Sequence, residues 1–352
     1  MKKSLVALAA LAAATGAFAQ SSVTMFGIVD ATFAYGKGDV DKKTQLTNSG
    51  LNSSRFGVRG VEDLGGGMNG SFHLEAALNN DNGTSGGTST NNQSTGAVAA
   101  GGGLIFGRRS TVSLGGGFGE VRLGRDYTPH FWNHTFYDPF GTNGVGTSQV
   151  LNSSLGGPTT VRASNSIGYF LPGKLGGAFG QVQYYMGENN TVPAATKNDG
   201  SGFSARGGYA NGPISAALAF GQTKFAAGTG KITTVNFGGS YDLGVVKLSG
   251  LYDQDKQSLT NLKGSGFLFG VNAPVGAGEI RAAFSTYKVK PTNAQTNKFA
   301  VGYVHNLSKR TAAYGTFAML SNKSGAAQAL NGATGVANKK SSGFDVGVRH
   351  SF

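Results

Sequence analysis

Lysine and arginine outnumber the acids in this chain, 30 to 17, and several of the cations share one pattern. Arg59, Arg122, Arg206, Lys247, Arg281 and Arg349 each fall on the polar parity of a stretch in which apolar and polar residues alternate. A guanidinium stays charged at any relevant pH and offers several donors to a carboxylate, phosphate or sulfate. Gathered into one ladder, with acids too few to neutralise them, such groups would attract anions. Nucleic acid is not the anion implied, because the charges are dispersed and the chain carries an export signal, described below.

Other chemistry is weakly indicated. Gly65, Gly67 and Gly70 fit G-x-G-x-x-G, but no helix pattern follows, so they read as a turn rather than a nucleotide loop. His130 and His134 have the i, i+4 spacing of two metal ligands, yet Pro129, Trp132 and the glycine-rich surroundings argue against the helix that would align them. There is no H-E-x-x-H, and no cysteine for a thiolate metal site or a disulfide framework. His305 falls in a turn and His350 has no evident serine partner beyond its neighbours, so a serine hydrolase is poorly served. Neither a metal nor a cofactor is expected. Adhesion through long surface loops is a reading from a different class.

The elements that must position the cations are strands. Alternating segments recur at near-regular spacing from 23–35 to 341–352, sixteen in all. Phe344, Val346, Val348 and Phe352 share one parity of the last segment, opposite Asp345, Gly347, Arg349 and Ser351. Val235, Phe237 and Tyr241 alternate with Thr234, Asn236 and Ser240 in the tenth. Short connectors such as EDLGGG at 62–67 and LPGKL at 171–175 alternate with long ones rich in Asn, Thr, Ser and Gly, including 36–52, 80–103 and 127–161. Short turns on one side and long loops on the other describe an up-and-down antiparallel sheet. An even strand number lets the first and last strands pair and close a transmembrane β-barrel, removing both edges. Sixteen strands leave an aqueous lumen, where eight would leave a packed interior.

The N-terminal segment agrees with export. MKKSLVALAALAAATGAFAQ places Lys2 and Lys3 before an apolar run and ends it with Ala17-Phe18-Ala19. This is the pattern of a signal peptide, expected to be cleaved after Ala19, leaving 20–352 as a single barrel domain. No later stretch approaches 18 consecutive apolar residues, so any membrane crossing falls to strands.

SSRFGVRGVEDLGGG at 53–67, SSVTMFGIVDA at 21–31, RRSTVSLGGGFGEVRLGRD at 108–126, YVHNLSKRTAAYG at 303–315 and the terminal GVRHSF together resemble Gram-negative general porins of the betaproteobacterial, anion-selective type. The likeness spans the mature chain and is weakest in the long loops. It implies a homotrimer in the outer membrane, each barrel passing small anions and hydrophilic solutes, with its third loop folded inward to narrow the pore. That loop would be 127–161, with the single Trp132 and, as its only acid, Asp138. Arg55, Arg109 and Arg162 match the family's basic cluster and would form the constriction, with Arg59, Arg122, Arg206 and Arg281 as further lumen cations. The resemblance also implies that the barrel-insertion machinery reads the end of the chain at Phe352. Lys37, Lys42, Lys43, Lys339 and Lys340 suit lipopolysaccharide at the outer rim.

Overall fold

The computed structural model describes residues 22–98, 103–226 and 228–352; the expected leader at 1–19 lies outside them. Period-2 alternation acts as expected along Ser22–Lys37 (β1). Asp30 and Thr32 are fully buried, while Val29 and Phe33 on the other parity are 37% and 46% exposed. The remaining barrel strands are Arg55–Gly65 (β2), Met68–Asn79 (β3), Arg109–Gly116 (β4), Gly119–Tyr127 (β5), Arg162–Phe170 (β6), Ala178–Tyr185 (β7) and Gly202–Asn211 (β8). They continue with Ile214–Phe225 (β9), Gly230–Asp242 (β10), Lys247–Gln257 (β11), Lys263–Val275 (β12), Gly278–Lys290 (β13), Ala294–Asn306 (β14), Thr311–Lys323 (β15) and Lys340–Ser351 (β16).

Each strand pairs antiparallel with its neighbour in sequence. β16 returns to β1 in register from Ile28↔Ser351 to Lys37↔Ser342, closing a sixteen-stranded barrel. Among the described residues no helix is long and apolar enough to cross a membrane. The outward parity carries the large apolar side chains, for example Val112, Leu218, Phe237, Phe269, Phe299 and Val346, all exposed. The inward parity carries Thr111, Ser204, Asn236, Asp253 and Asp345.

Among the departures from the sequence reading, two bear on closure and on the lumen. Lys42–Asn48, expected as loop, is a strand that folds back on β1 from Ala31↔Asn48 to Lys37↔Lys42. The cause is a shortfall in pairing: β2 begins at Arg55 and reaches only Ser22–Ile28 of β1. The upper half of β1 would otherwise present unpaired backbone on that side. The second departure is a helix, Pro129–Tyr137 (α1), where proline and glycine argued against one. Pro129 occupies the first turn, where its missing N–H costs nothing. A short helix, Gln149–Asn152 (α2), follows.

The G-x-G-x-x-G match is the turn between β2 and β3. Gly65, Gly66 and Gly67 have φ of 79°, 62° and 78°, a region that favours glycine.

The seam is sealed at Phe352. Its N–H donates to Gly27 O at 3.1 Å and its carbonyl accepts from Gly27 N at 3.1 Å. Its ring lies over Gly27, where an added Cβ would meet Phe352 Cζ at 2.3 Å and the Arg55 carbonyl at 2.9 Å. Gly27→Val should therefore destabilise the closure by about 1–3 kcal/mol. An added Cβ at Gly207 meets nothing within 4 Å, so Gly207→Ala should be neutral by this criterion. The heat-dependent gel shift of the folded barrel across a urea series measures both, and equal midpoints would refute the packing argument.

Candidate functional site

Three even-numbered strands descend from long loops, and each starts at an arginine: Arg55, Arg109 and Arg162. The structure brings two of these together and recruits a neighbour of the third. Arg108, just before β4, places Nε 2.5 Å from Glu75 Oε1 and donates from Nη2 to the Tyr127 hydroxyl at 2.6 Å. Arg162 donates from Nη2 to the same hydroxyl at 2.6 Å and from Nε to the Arg108 carbonyl at 2.9 Å. Its guanidinium lies 4.2 Å from the centre of the Tyr127 ring. Arg55 Nη1 lies 3.5 Å from Glu75 Oε1. Arg55 and Arg108 thus share the Glu75 carboxylate and Arg162 joins them through Tyr127, so three guanidinium groups gather beside one acid, a surplus of positive charge.

Arg109 belongs to a different set. Its Nε donates to Thr111 Oγ1 at 3.0 Å and lies 3.8 Å from Asp126 Oδ2. Arg122 meets Asp126 at 2.5 Å and both oxygens of Glu120 at 3.0 Å, while lying 4.1 Å from the Phe170 ring centre. Two arginines face two acids here. That set braces the wall without surplus charge.

The other cations are spread along the lumen. Arg59 is exposed and lies 5.2 Å from the Phe26 ring centre. Arg206 donates to Asn133 Oδ1 at 2.7 Å. Arg281 holds Glu279 at 2.6 Å, and Arg349 donates to Ser351 Oγ at 3.1 Å.

Opposite the arginine wall lies the 128–161 segment, folded into the barrel. α1 rests on the inner faces of β8 to β11. His130 Nδ1 is 3.0 Å from Ser204 Oγ, Asn133 Nδ2 donates to Asn236 Oδ1 at 2.8 Å, and Tyr137 OH is 3.0 Å from Ser215 Oγ. His134 Nε2 is 3.1 Å from Asp253 Oδ2. Each histidine is thus spent on the wall. Burial, with His134 close by, pushes the His130 imidazole down to about 3 and keeps it neutral. Further along, Val145 N donates to Asp345 Oδ2 at 2.7 Å, Lys298 Nζ to Val145 O at 3.0 Å and Ser154 Oγ to Asp255 Oδ2 at 2.8 Å.

Glycines make room for this segment. An added Cβ at Gly238 would lie 2.1 Å from Tyr137, at Gly221 2.4 Å from His130, and at Gly270 2.3 Å from Pro139. Asp138 is buried, its two oxygens accepting from Phe140 N at 2.9 Å and Ser148 N at 3.0 Å. Burial raises its carboxyl above the ordinary value. It holds the loop's own shape.

Between wall and loop lies a cavity of about 530 Å³, lined by Arg55, Arg108, Arg162 and Arg281 and by the 138–143 stretch, and not by Arg109. Sequence reading missed Arg108, Glu75 and Tyr127. The RR pair at 108–109 was the available signal, but which arginine turns inward depends on where β4 begins. It also passed over GTSGG at 83–87, which fits G-x-S-x-G. Ser85 Oγ there donates to Gly103 O at 2.7 Å, in a loop without the strand–turn–helix of a nucleophile elbow.

A closed barrel with an apolar exterior, a polar interior and a charged constriction defines a transmembrane diffusion channel. The Gram-negative porin family matches residues 6–325, and the chain belongs to that family. It is 40% identical to outer membrane porin protein 32 of Delftia acidovorans, with all of both chains covered. It is 29% identical to an outer membrane porin protein of Bordetella pertussis, again over the full length of both. An anion-selective porin from Comamonas acidovorans superposes with a TM-score of 0.84 at 37% identity, covering 95% of this chain and 100% of that one. The protein is an outer-membrane channel for passive diffusion of small solutes, and not an enzyme.

Asp253→Ala removes the acceptor of His134 and one of Asn236's partners, leaving buried polar groups unpaired at a cost of about 1–3 kcal/mol. The loop should loosen while the barrel stays closed. Single-channel recordings should show added current fluctuations with an unchanged heat-dependent gel shift. A quiet channel would show that this contact does not hold the loop.

Proposed function

We infer that the channel prefers anions, and that Arg55, Arg108 and Arg162 supply the preference at the constriction. The observation that carries this reading is the surplus of three guanidinium groups over the single carboxylate of Glu75. The Comamonas relative described as anion-selective supports it. Two unit charges 4 Å apart interact by about 1 kcal/mol in water and about 4 kcal/mol at an effective dielectric of 20. Since 1.4 kcal/mol is about tenfold, one arginine is enough to shift the anion-to-cation ratio severalfold.

Around this core, the family resemblance implies a homotrimer. Lys37, Lys42, Lys43, Lys339 and Lys340 gather where the first and last long loops meet, Lys339 within 3.4 Å of Asp39, and suit lipopolysaccharide phosphates. Phe352 serves as the end that the insertion machinery reads. Phe352→Asp should lower the amount of folded barrel in the outer membrane severalfold while surviving channels conduct normally. Wild-type levels of folded Phe352→Asp would remove that role.

Reversal potential across a KCl gradient tests the selectivity. Wild type should favour chloride, more strongly in dilute than in molar salt, where the Debye length falls to about 3 Å. Replacing Arg55, Arg108 and Arg162 together by Gln should move the potential toward no preference or toward potassium. Arg109→Gln, at a position that does not line the cavity between wall and loop, should move it less. Equal potentials for wild type and a folded triple variant would assign these arginines to bracing alone.

A further inference from the structure

The inner face of α1 is spent on the barrel wall, but its other face is not. Trp132 and Phe136, one helical turn apart, lie on that face with ring centres 5.4 Å apart and nearly parallel. Trp132 also meets Tyr127, centre to centre at 5.0 Å. Phe136 is 55% exposed although the segment carrying it lies inside the barrel. A large aromatic left open to a water-filled lumen forgoes the burial that normally stabilises it, and such exposure marks binding surfaces.

Below the constriction, toward the short turns, these rings border a second cavity of about 570 Å³. Phe170 and Phe179 from the wall complete its apolar lining, and Arg206 and Lys247 are its cations. Arg206 sits between rings, 5.0 Å from the centre of Phe136 and 4.6 Å from that of Phe179. Among the described residues neither Arg206 nor Lys247 has a carboxylate within ion-pair distance. The two cavities share Trp132, so Tyr127, Trp132 and Phe136 run from one to the other. An arginine lies over the first ring and another over the last.

We propose that this aromatic track with its two lower cations is a binding site for planar aromatic carboxylates on their way through the pore. The ring of such a solute stacks on Phe136 and Trp132, and its carboxylate meets Arg206 and Lys247. Both features are needed to favour this class. A sugar would also stack, and Gln181, Ser215 and Ser240 offer its hydroxyls acceptors, but only an anion answers the two cations that have no acid partner. An aliphatic acid matches the cations but forgoes the ring-to-ring contact. The volume lies within the range of small-molecule sites. The proposal rests on the anion-preferring reading above.

The test is block of chloride current in a planar bilayer by benzoate, cyclohexanecarboxylate or acetate, added at the short-turn side. Benzoate should reach half-block at a concentration roughly three- to tenfold below cyclohexanecarboxylate, which has the same charge and similar size, and further below acetate. Phe136→Leu should raise the benzoate value by a similar factor, leave acetate unchanged, and leave chloride conductance at the wild-type level. Equal half-block by benzoate and cyclohexanecarboxylate in the wild type would overturn the track, with no variant needed. An unshifted benzoate value in folded Phe136→Leu would overturn it equally. Reversal potential in the same membranes reads the anion preference separately. A potassium-preferring wild type would sink that reading and with it the carboxylate part of the site, whereas chloride preference with no benzoate advantage would sink the track alone.

Discussion

Everything in this molecule depends on backbone pairing across the seam between Ser22–Lys37 and Lys340–Ser351. In hydrocarbon no water can satisfy a free N–H or carbonyl, so a sheet that crosses a membrane has to close on itself. Closure fixes the parity of every strand in one step, because a slip by a single residue would turn apolar side chains inward along the whole ladder. β1 carries three partners to achieve it: β16 along one edge, and β2 and the 42–48 strand in succession along the other. Phe352 then occupies the space over Gly27, so the last ring of the chain packs against the strand it completes.

A closed barrel of this size has a polar inner face, and the 128–161 segment lies along part of it. The packing works because the two surfaces are complementary in shape and in hydrogen bonding. Gly221, Gly238 and Gly270 leave flat places where rings and a proline of the loop lie. Asp253, Asp255 and Asp345, buried in the wall, accept from loop groups that would otherwise be unpaired. These acids are therefore engaged in holding the loop.

The two basic sets show why counting arginines is not enough. Arg109 and Arg122 stand opposite Glu120 and Asp126 and cancel locally. Arg55 and Arg108 meet Glu75 alone, and Arg162 meets them through Tyr127. Tyr127 lets the second set hold together: its hydroxyl accepts from Arg108 and Arg162, and its ring faces the Arg162 guanidinium. That arrangement keeps three like charges close with Glu75 as their one acid. α1 is likewise divided, with His130, Asn133, His134 and Tyr137 turned to the wall and Trp132 and Phe136 turned to the channel.

The sequence by itself determined the sixteen strands, their two faces, the alternation of short turns with long loops and the basic character of the interior. All of these are local: period-2 patterning and turn chemistry act between residues a few positions apart. Tertiary structure decided what depends on partners distant in sequence. By parity Arg109 lies on the lumen face of β4, yet Arg108, outside the strand, turns toward Glu75, 33 residues earlier, and joins Arg55 there. The 129–137 stretch looks unhelical, yet polar contacts to β8, β9, β10 and β11 and the glycine seats beneath its rings hold it as a helix. Asp138 looks like an eyelet acid because it is the loop's only one, yet the fold turns its oxygens onto Phe140 and Ser148. Strand periodicity is written residue by residue, whereas the direction of a charged side chain in a lumen is set by whichever opposite charge or donor closure of the barrel brings within reach.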